Sequence, residues 1–167
     1  MWKKISRLLA DYPERLAVAR TLVEKGLSIK DGTIWYGDIL IPIIRVARVT
    51  GVDRRTVKKA ITMIEKDSEL NPIFEAIKPA GPSLEGVAKH LGLGVVEITP
   101  TDARIPGILA KAATLIAERD ISIRQVIMDD PELSPEPKTA IITEQKIPGS
   151  LVPKFLKING VAKVSIY

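Results

Sequence analysis

The sequence predicts an α+β chain built from two modules, a mostly helical front and a back in which strands and helices alternate. Three observations carry that reading. Apolar residues recur at helical spacing through much of 13–66, and from Gly94 onward the order becomes strand, helix, strand, strand, helix, strand. Between these stretches, 71–82 holds three prolines and Gly81, the composition of a broken connector. Charge divides the chain in the same place. Residues 1–70 carry 14 Lys and Arg against 9 Asp and Glu, a surplus of five, whereas 71–167 carry 11 of each. Such asymmetry marks two modules, one of them facing a polyanion. The front is placed at 1–70, a connector with a short helix at 71–93, and the back at 94–167.

Along the front, 13–25 reads as a helix. Leu16, Ala19, Arg20 and Val23 mark the repeat, Pro13 suits the first turn and Gly26 ends it. Residues 27–36 form two alternating runs around Asp31-Gly32, a hairpin signal because both turn residues tolerate positive φ. Trp35 and Tyr36 are expected to pack this hairpin on the helices. Residues 43–50 return to helical spacing, and after Gly51-Val52-Asp53 a second helix runs from Arg54 to about Lys66.

Within 43–62 stand six basic residues and one acid, Asp53. A helix–turn–helix needs a small residue where its helices meet, a residue able to turn tightly four positions later, and apolar locks on the second helix. Ala47, Gly51, and the set Val52, Val57, Ala60 and Ile61 fill those places. Val57, Ala60, Ile61 and Ile64 form one stripe for the core. At 100° per residue, Arg55, Lys59 and Thr62 point the other way, with Lys58 on the shoulder. Asp53 is placed to cap the helix. Arg54 and Arg55 are then the candidate base readers, Lys58 and Lys59 the phosphate contacts, and Thr62 a further member of the face. The bland alternative is a helical hairpin used for packing, with a solvated basic face. The strand hairpin precedes the helix pair, so the module is not read as winged.

In the connector, 83–91 reads as a short helix capped by Ser83 and stopped by Gly92. In the back module, 94–99 alternates, with Val96 and Ile98 on one face and Val95 and Glu97 on the other. The loop 100–107 leads into a helix over 108–119 with a stripe of Leu109, Ala112, Ala113 and Ile116. Strands follow at 121–128 and 138–143, separated by the acidic, proline-rich 129–137. A short helix at 148–157, a stop at Gly160 and a strand at 161–167 complete βαββαβ, a ferredoxin-like sheet with helices on one face.

That order hosts many functions. The central strands lack the stacking aromatics of an RNA-binding module, and a metal chaperone would want cysteines, of which there are none. The loop is more informative. A strand ending in Thr-Asp-Ala-Arg-Ile-Pro-Gly-Ile-Leu, a helix of small and apolar residues, then Asp-Ile-Ser-Ile-Arg-Gln resembles the ACT family of amino-acid-sensing domains over 94–167. The resemblance implies a small amino acid held between Pro106, Gly107 and Ile108 of one copy and Ile121, Ser122 and Ile123 of its neighbour. The family often has Asp or Asn two positions before the proline, where this chain has Arg104. Either Asp102 takes over the ligand's ammonium, or Arg104 binds its carboxylate. Physically, Gly107 lets a ligand approach the backbone, and a helix start offers free N–H groups to a carboxylate. Alternatively, Pro-Gly serves only to start the helix. With the helix pair in front, and the runs Gly-Val-Asp-Arg-Arg and Ile-Ser-Ile-Arg-Gln, nearly the whole chain resembles predicted archaeal regulators of amino-acid metabolism.

Composition closes other routes. With no cysteine there is no disulfide, thiolate cluster or thiol nucleophile. His90 is the one histidine and, at a helix end, reads as a terminal charge. Asp129 and Asp130 read as part of a solvated acidic loop. No nucleophile–base constellation, phosphate loop or dinucleotide fingerprint occurs, so no enzyme and no cofactor are expected. The longest apolar stretch, 39–44, contains Pro42 and cannot span a membrane, and no leader is evident, so the expected location is cytoplasmic. The expectation is an amino-acid-responsive, DNA-binding regulator of amino-acid metabolism, a homodimer or higher homo-oligomer with duplex DNA and a small amino acid as partners. The alternative is an allosteric regulatory subunit that senses an amino acid and docks on a biosynthetic enzyme.

Overall fold

A computed structural model describes residues 1–167. The chain is α+β, with helices and two antiparallel sheets, and divides into two compact units, Met1–Gly81 and Pro82–Tyr167. No helix is long and apolar enough to cross a membrane.

The first unit opens with α1 (Trp2–Leu8), which the periodicity argument did not foresee; it is short but buries Trp2 and Ile5. In α2 (Pro13–Glu24) the buried face is Val18, Ala19 and Leu22, one position off the expected stripe, with Leu16 and Val23 only half-buried. The hairpin forms with Asp31 and Gly32 both at positive φ. It joins β1 (Ser28–Lys30) to β2 (Thr33–Tyr36), and a third strand, β3 (Ile39–Ile41), pairs with β2. Its turn is pinned where the Gly32 N–H donates to Glu65 Oε1 at 2.6 Å. The side chains that pack the hairpin are Ile29 and Ile34, because they share its inner face; Trp35 is half-buried and Tyr36 is exposed, against expectation. Next come α3 (Ile43–Thr50), α4 (Arg54–Lys66) and α5 (Asn71–Ala76), and α2 packs on both α3 and α4.

The expected connector is therefore corrected. Residues 71–76 are helical and contribute the fully buried Phe74 to the first unit. Pro72 occupies the first turn, where no N–H donor is needed, so it starts a helix instead of breaking one. Asp67 assists by accepting the N–H groups of Glu69 and Leu70. The boundary moves to Gly81, and the 3-10 turn Glu85–Leu91 belongs to the second unit. That assignment has a local cause. Gln125 grips the incoming chain with both ends of its amide, donating to the Pro82 carbonyl and accepting from the Leu84 N–H, each at 2.8 Å.

The second unit continues with β4 (Gly94–Pro100), α6 (Ile108–Ala117), β5 (Ile123–Met128), β6 (Thr139–Thr143), a 3-10 turn Gly149–Leu151, α7 (Val152–Leu156) and β7 (Val161–Ile166). The sheet order is β5-β6-β4-β7, every pair antiparallel. One face buries Val96, Ile98 and Ile141 against Ala112, Ile116, Leu151 and Phe155. The stripe of α6 is thus Ile108, Ala112 and Ile116, with Leu109 and Ala113 at its margin. The other face is not open: Val95, Ala140 and Ile142 pack with Ala88 and Leu93 of the preceding segment. Every residue of β6 is consequently buried.

Candidate nucleic-acid interface and candidate effector loop

The turn between α3 and α4 is built as its residues require. Gly51 takes a left-handed conformation (φ 70°) where a side chain would be strained, and the Val52 N–H donates to the Ala47 carbonyl at 3.2 Å. Asp53 then caps α4, its carboxylate accepting the Arg55 N–H at 2.7 Å. On α4 the expected division of faces is present. Val57, Ala60, Ile61 and Ile64 are buried, whereas Arg54, Arg55, Lys58, Lys59 and Thr62 are exposed. The Thr62 hydroxyl donates back to the Lys58 carbonyl at 3.1 Å, leaving it an acceptor toward anything outside.

Between α2 and α4 this face forms an open groove of about 600 Å³ that collects Arg55, Lys58, Lys59 and Thr62 together with Arg15, Met63 and Lys66. Arg54 lies off the groove. Arg15 is held there: its guanidinium stacks 4.3 Å from the Tyr12 ring centre and donates to Met63 Sδ at 3.1 Å. Two of these cations, Arg15 and Lys66, are not among the residues that the sequence nominates. Lys66 was legible, since it follows Lys59 by seven residues on one helix face. Arg15 was not, because it arrives from a helix 48 residues from Met63. Near the start of α4 the Glu14 carboxylate accepts the Thr56 hydroxyl at 3.3 Å, so the groove is acid-free along its length but bordered by Glu14 and Asp53 at one end.

In the second unit the loop after β4 is tied down at two points. The Thr101 N–H donates to the Gly160 carbonyl at 2.8 Å, and Gly160 lies against Ile105 and Ile108. Asp102 and Arg104, the two candidates for an amino acid's charges, are bonded to each other. Asp102 Oδ1 accepts the Arg104 backbone N–H (2.9 Å) and Nε (3.0 Å), and Oδ2 accepts the terminal guanidinium nitrogen (2.9 Å). Those bonds, the side-chain ones foremost, hold the Asp102 carboxyl below its usual pKa and the Arg104 guanidinium above its own. A ligand ion would have to share or displace that pairing.

Gly107, at φ 86°, is the residue before α6, and a Cβ there would meet open space. Together with Arg104, Pro106 and Ile108 it lines a cavity of about 300 Å³ whose far wall is Met128, Asp129 and Lys138 of the same chain. Lys138 is held in that wall by Glu97, to which its Nζ donates at 3.2 Å, and this bond raises its pKa. The other candidate group is elsewhere. Ile121 is buried, Ser122 exposed and Ile123 half-buried, all beyond the C-terminal end of α6, whereas 106–108 sit at its N-terminal end. Expected to begin at Ile121, the strand starts at Ile123, because Asp120 turns the chain at φ 56°. One chain therefore does not unite the two groups.

The residues read as incidental have local partners or none that suggest chemistry. His90 is exposed at the end of the 3-10 turn. Asp129 accepts the Lys138 N–H and Asp130 the Glu132 N–H, bonds that shape the acidic loop. No family model and no curated protein matches the sequence.

Proposed function

We propose that the chain is a DNA-binding regulator that responds to an amino acid, with a helix–turn–helix in the first unit and an ACT-like, ferredoxin-like sensor in the second. The observation that carries the DNA half is the groove between α2 and α4, where five cations from two helices converge with no carboxylate among them. Backbone phosphates along this groove would set the position of α4, leaving Arg54 and Arg55 at its capped N-terminal end to reach base edges. The sensing half is supported by the strand order β5-β6-β4-β7, and by an unobstructed Gly107 opening a ten-residue helix beside a partly open cavity. Because 106–108 and 121–123 lie at opposite ends of α6, an effector touching both needs two copies, which is why the reading includes a homodimer.

Coupling between effector and DNA is limited to the effector's differential affinity for the two arrangements of the dimer, typically ~1–3 kcal/mol. The test is duplex binding by fluorescence anisotropy across a salt series. Phosphate contacts give a log–log slope of about −0.9 each. Absence of duplex binding at low salt, with capture of a biosynthetic enzyme instead, would favour the regulatory-subunit alternative. A thermal-shift panel of amino acids tests the sensing half, since a ligand bound by the native state raises the melting temperature. No response to any of them removes it.

A further inference from the structure

We infer that the cavity beside Gly107 selects an amino acid with a hydroxyl or amide on a short side chain, and that Thr139 is the residue that reads it. The inference rests on the amino-acid reading above and deepens it by naming the class of effector. Strand pairing builds the cavity floor. Met128 of β5, Thr139 of β6 and Ile98 of β4 stand opposite one another in register, so their side chains form one row across three strands. All three line the cavity. Side chains alternate along β6, and Ile141 packs with Ile98 against α6 while Ala140 and Ile142 pack in the opposite layer. Thr139 therefore shares the face of Ile141, the one that carries α6.

Thr139 is only 7% exposed, yet its hydroxyl has no hydrogen-bond partner in the chain. Thr143, on the same face of the same strand, shows the contrast: its hydroxyl donates to the Gln145 carbonyl at 2.6 Å. Nor is the Thr139 hydroxyl sealed among apolar atoms, so the space it meets is the cavity. The other polar side chains of the lining are already engaged. Arg104 is bonded to Asp102, Lys138 to Glu97, and Asp129 accepts the Lys138 N–H. The remaining walls are apolar, and a volume of about 300 Å³ suits a small ligand. An aliphatic side chain lying on Thr139 would strip its hydroxyl of water and return no hydrogen bond, whereas a hydroxyl or amide would replace that water. With the effector's carboxylate at the Gly107 end of α6, its side chain would point along this floor.

The test is calorimetric titration of the full chain with the common amino acids, read through two pairs of nearly equal shape, threonine with valine and asparagine with leucine. Wild type is expected to bind the polar member of at least one pair about tenfold more tightly than its aliphatic partner. Thr139→Val keeps the shape of the floor and removes the hydroxyl, and should bring that ratio within about twofold. Thr139→Ser, which retains a hydroxyl, should preserve the preference. Thermal melts close to wild type confirm that both variants fold, and the wild-type ratio needs no variant. The inference is overturned if wild type binds most tightly an amino acid without a side-chain hydroxyl or amide, or if Thr139→Val leaves the ratio unchanged. Either result leaves the sensing reading standing. Binding of no amino acid at all removes both.

Discussion

Asp53 and Arg55 are bound through opposite ends of their chemistry: the Asp53 carboxylate accepts the Arg55 backbone N–H at 2.7 Å while the Arg55 guanidinium is free to face solvent. The cap that starts α4 thus also sets where its first cations stand. Replacing a side-chain cap by alanine costs about 0.5–2 kcal/mol. Asp53→Ala is expected to lower the urea midpoint accordingly, whereas Asp53→Asn, which retains an accepting oxygen, should sit near wild type. Duplex affinity should move the other way at low salt, because one carboxylate beside the phosphates is gone. A variant that loses stability and DNA affinity together would show that the helix start itself is disordered without its cap.

The groove makes a second prediction about two residues far apart in sequence. If Arg15 and Lys59 both meet phosphates, each alanine substitution should reduce the salt slope of duplex binding by about one and weaken all sequences alike. Arg54→Ala, off the groove, should instead relax discrimination between duplexes. Arg15 also touches Tyr12 and Met63, so its variant needs a thermal melt beside the binding data. An unchanged slope for Arg15→Ala would confine the interface to α4.

How far this could be read from the sequence depended on the range of the interactions involved. Helix α4 was legible because cap, stripe and basic face all lie within thirteen residues. The order of the second unit was legible for the same reason, since alternation and helical period are local patterns. What failed was set by distant partners. Phe74 gave no sign that 71–76 would join the first unit, because its helix packs on β1, about forty residues upstream, as well as on the neighbouring α4. Gln125 reads as an ordinary strand residue until Pro82 and Leu84 appear beside it, about forty residues away in the chain. Arg15 joined the candidate interface, and Asp102 engaged Arg104, through side-chain geometry that spacing alone does not specify.

Acid should act on the Asp102–Arg104 pair in a defined direction. Arg104 holds the folded-state carboxyl below its ordinary value of 3.8, so its contribution to stability is complete above that value and is lost as pH falls through the lowered one. Arg104→Ala is expected to return the Asp102 titration toward the ordinary range, read by NMR of the carboxyl carbon. The stability difference between wild type and Arg104→Ala should shrink as pH falls below the ordinary value of 3.8. Both side chains are well exposed, so that difference is small even at neutral pH. For an effector, the same variant frees Asp102. A ligand that uses the Asp102 carboxylate for its ammonium should bind at least as well to it, and one that needs the Arg104 guanidinium should not bind.

Two glycines beside the loop separate packing from access. Gly160 has φ 91° and no room: a Cβ there would lie 2.8 Å from Ile105 Cδ1 and 3.1 Å from Ile108 Cδ1, the residues that seat the loop on the sheet. Gly107 has φ 86° and nothing within 4 Å of the same atom. Alanine at either position carries the left-handed penalty of about 1–2 kcal/mol, but only at Gly160 does overpacking add about 1–3 kcal/mol more. Gly160→Ala is therefore expected to melt several degrees below Gly107→Ala. The order reverses for sensing. Gly107→Ala puts a methyl group where a ligand carboxylate would approach the backbone, so it should abolish the amino-acid thermal shift while the fold survives. Gly160→Ala, assayed below its own melting temperature, should keep a residual shift. Equal loss of response in both would mean that the loop's position, and not the open face of Gly107, is what the effector reads.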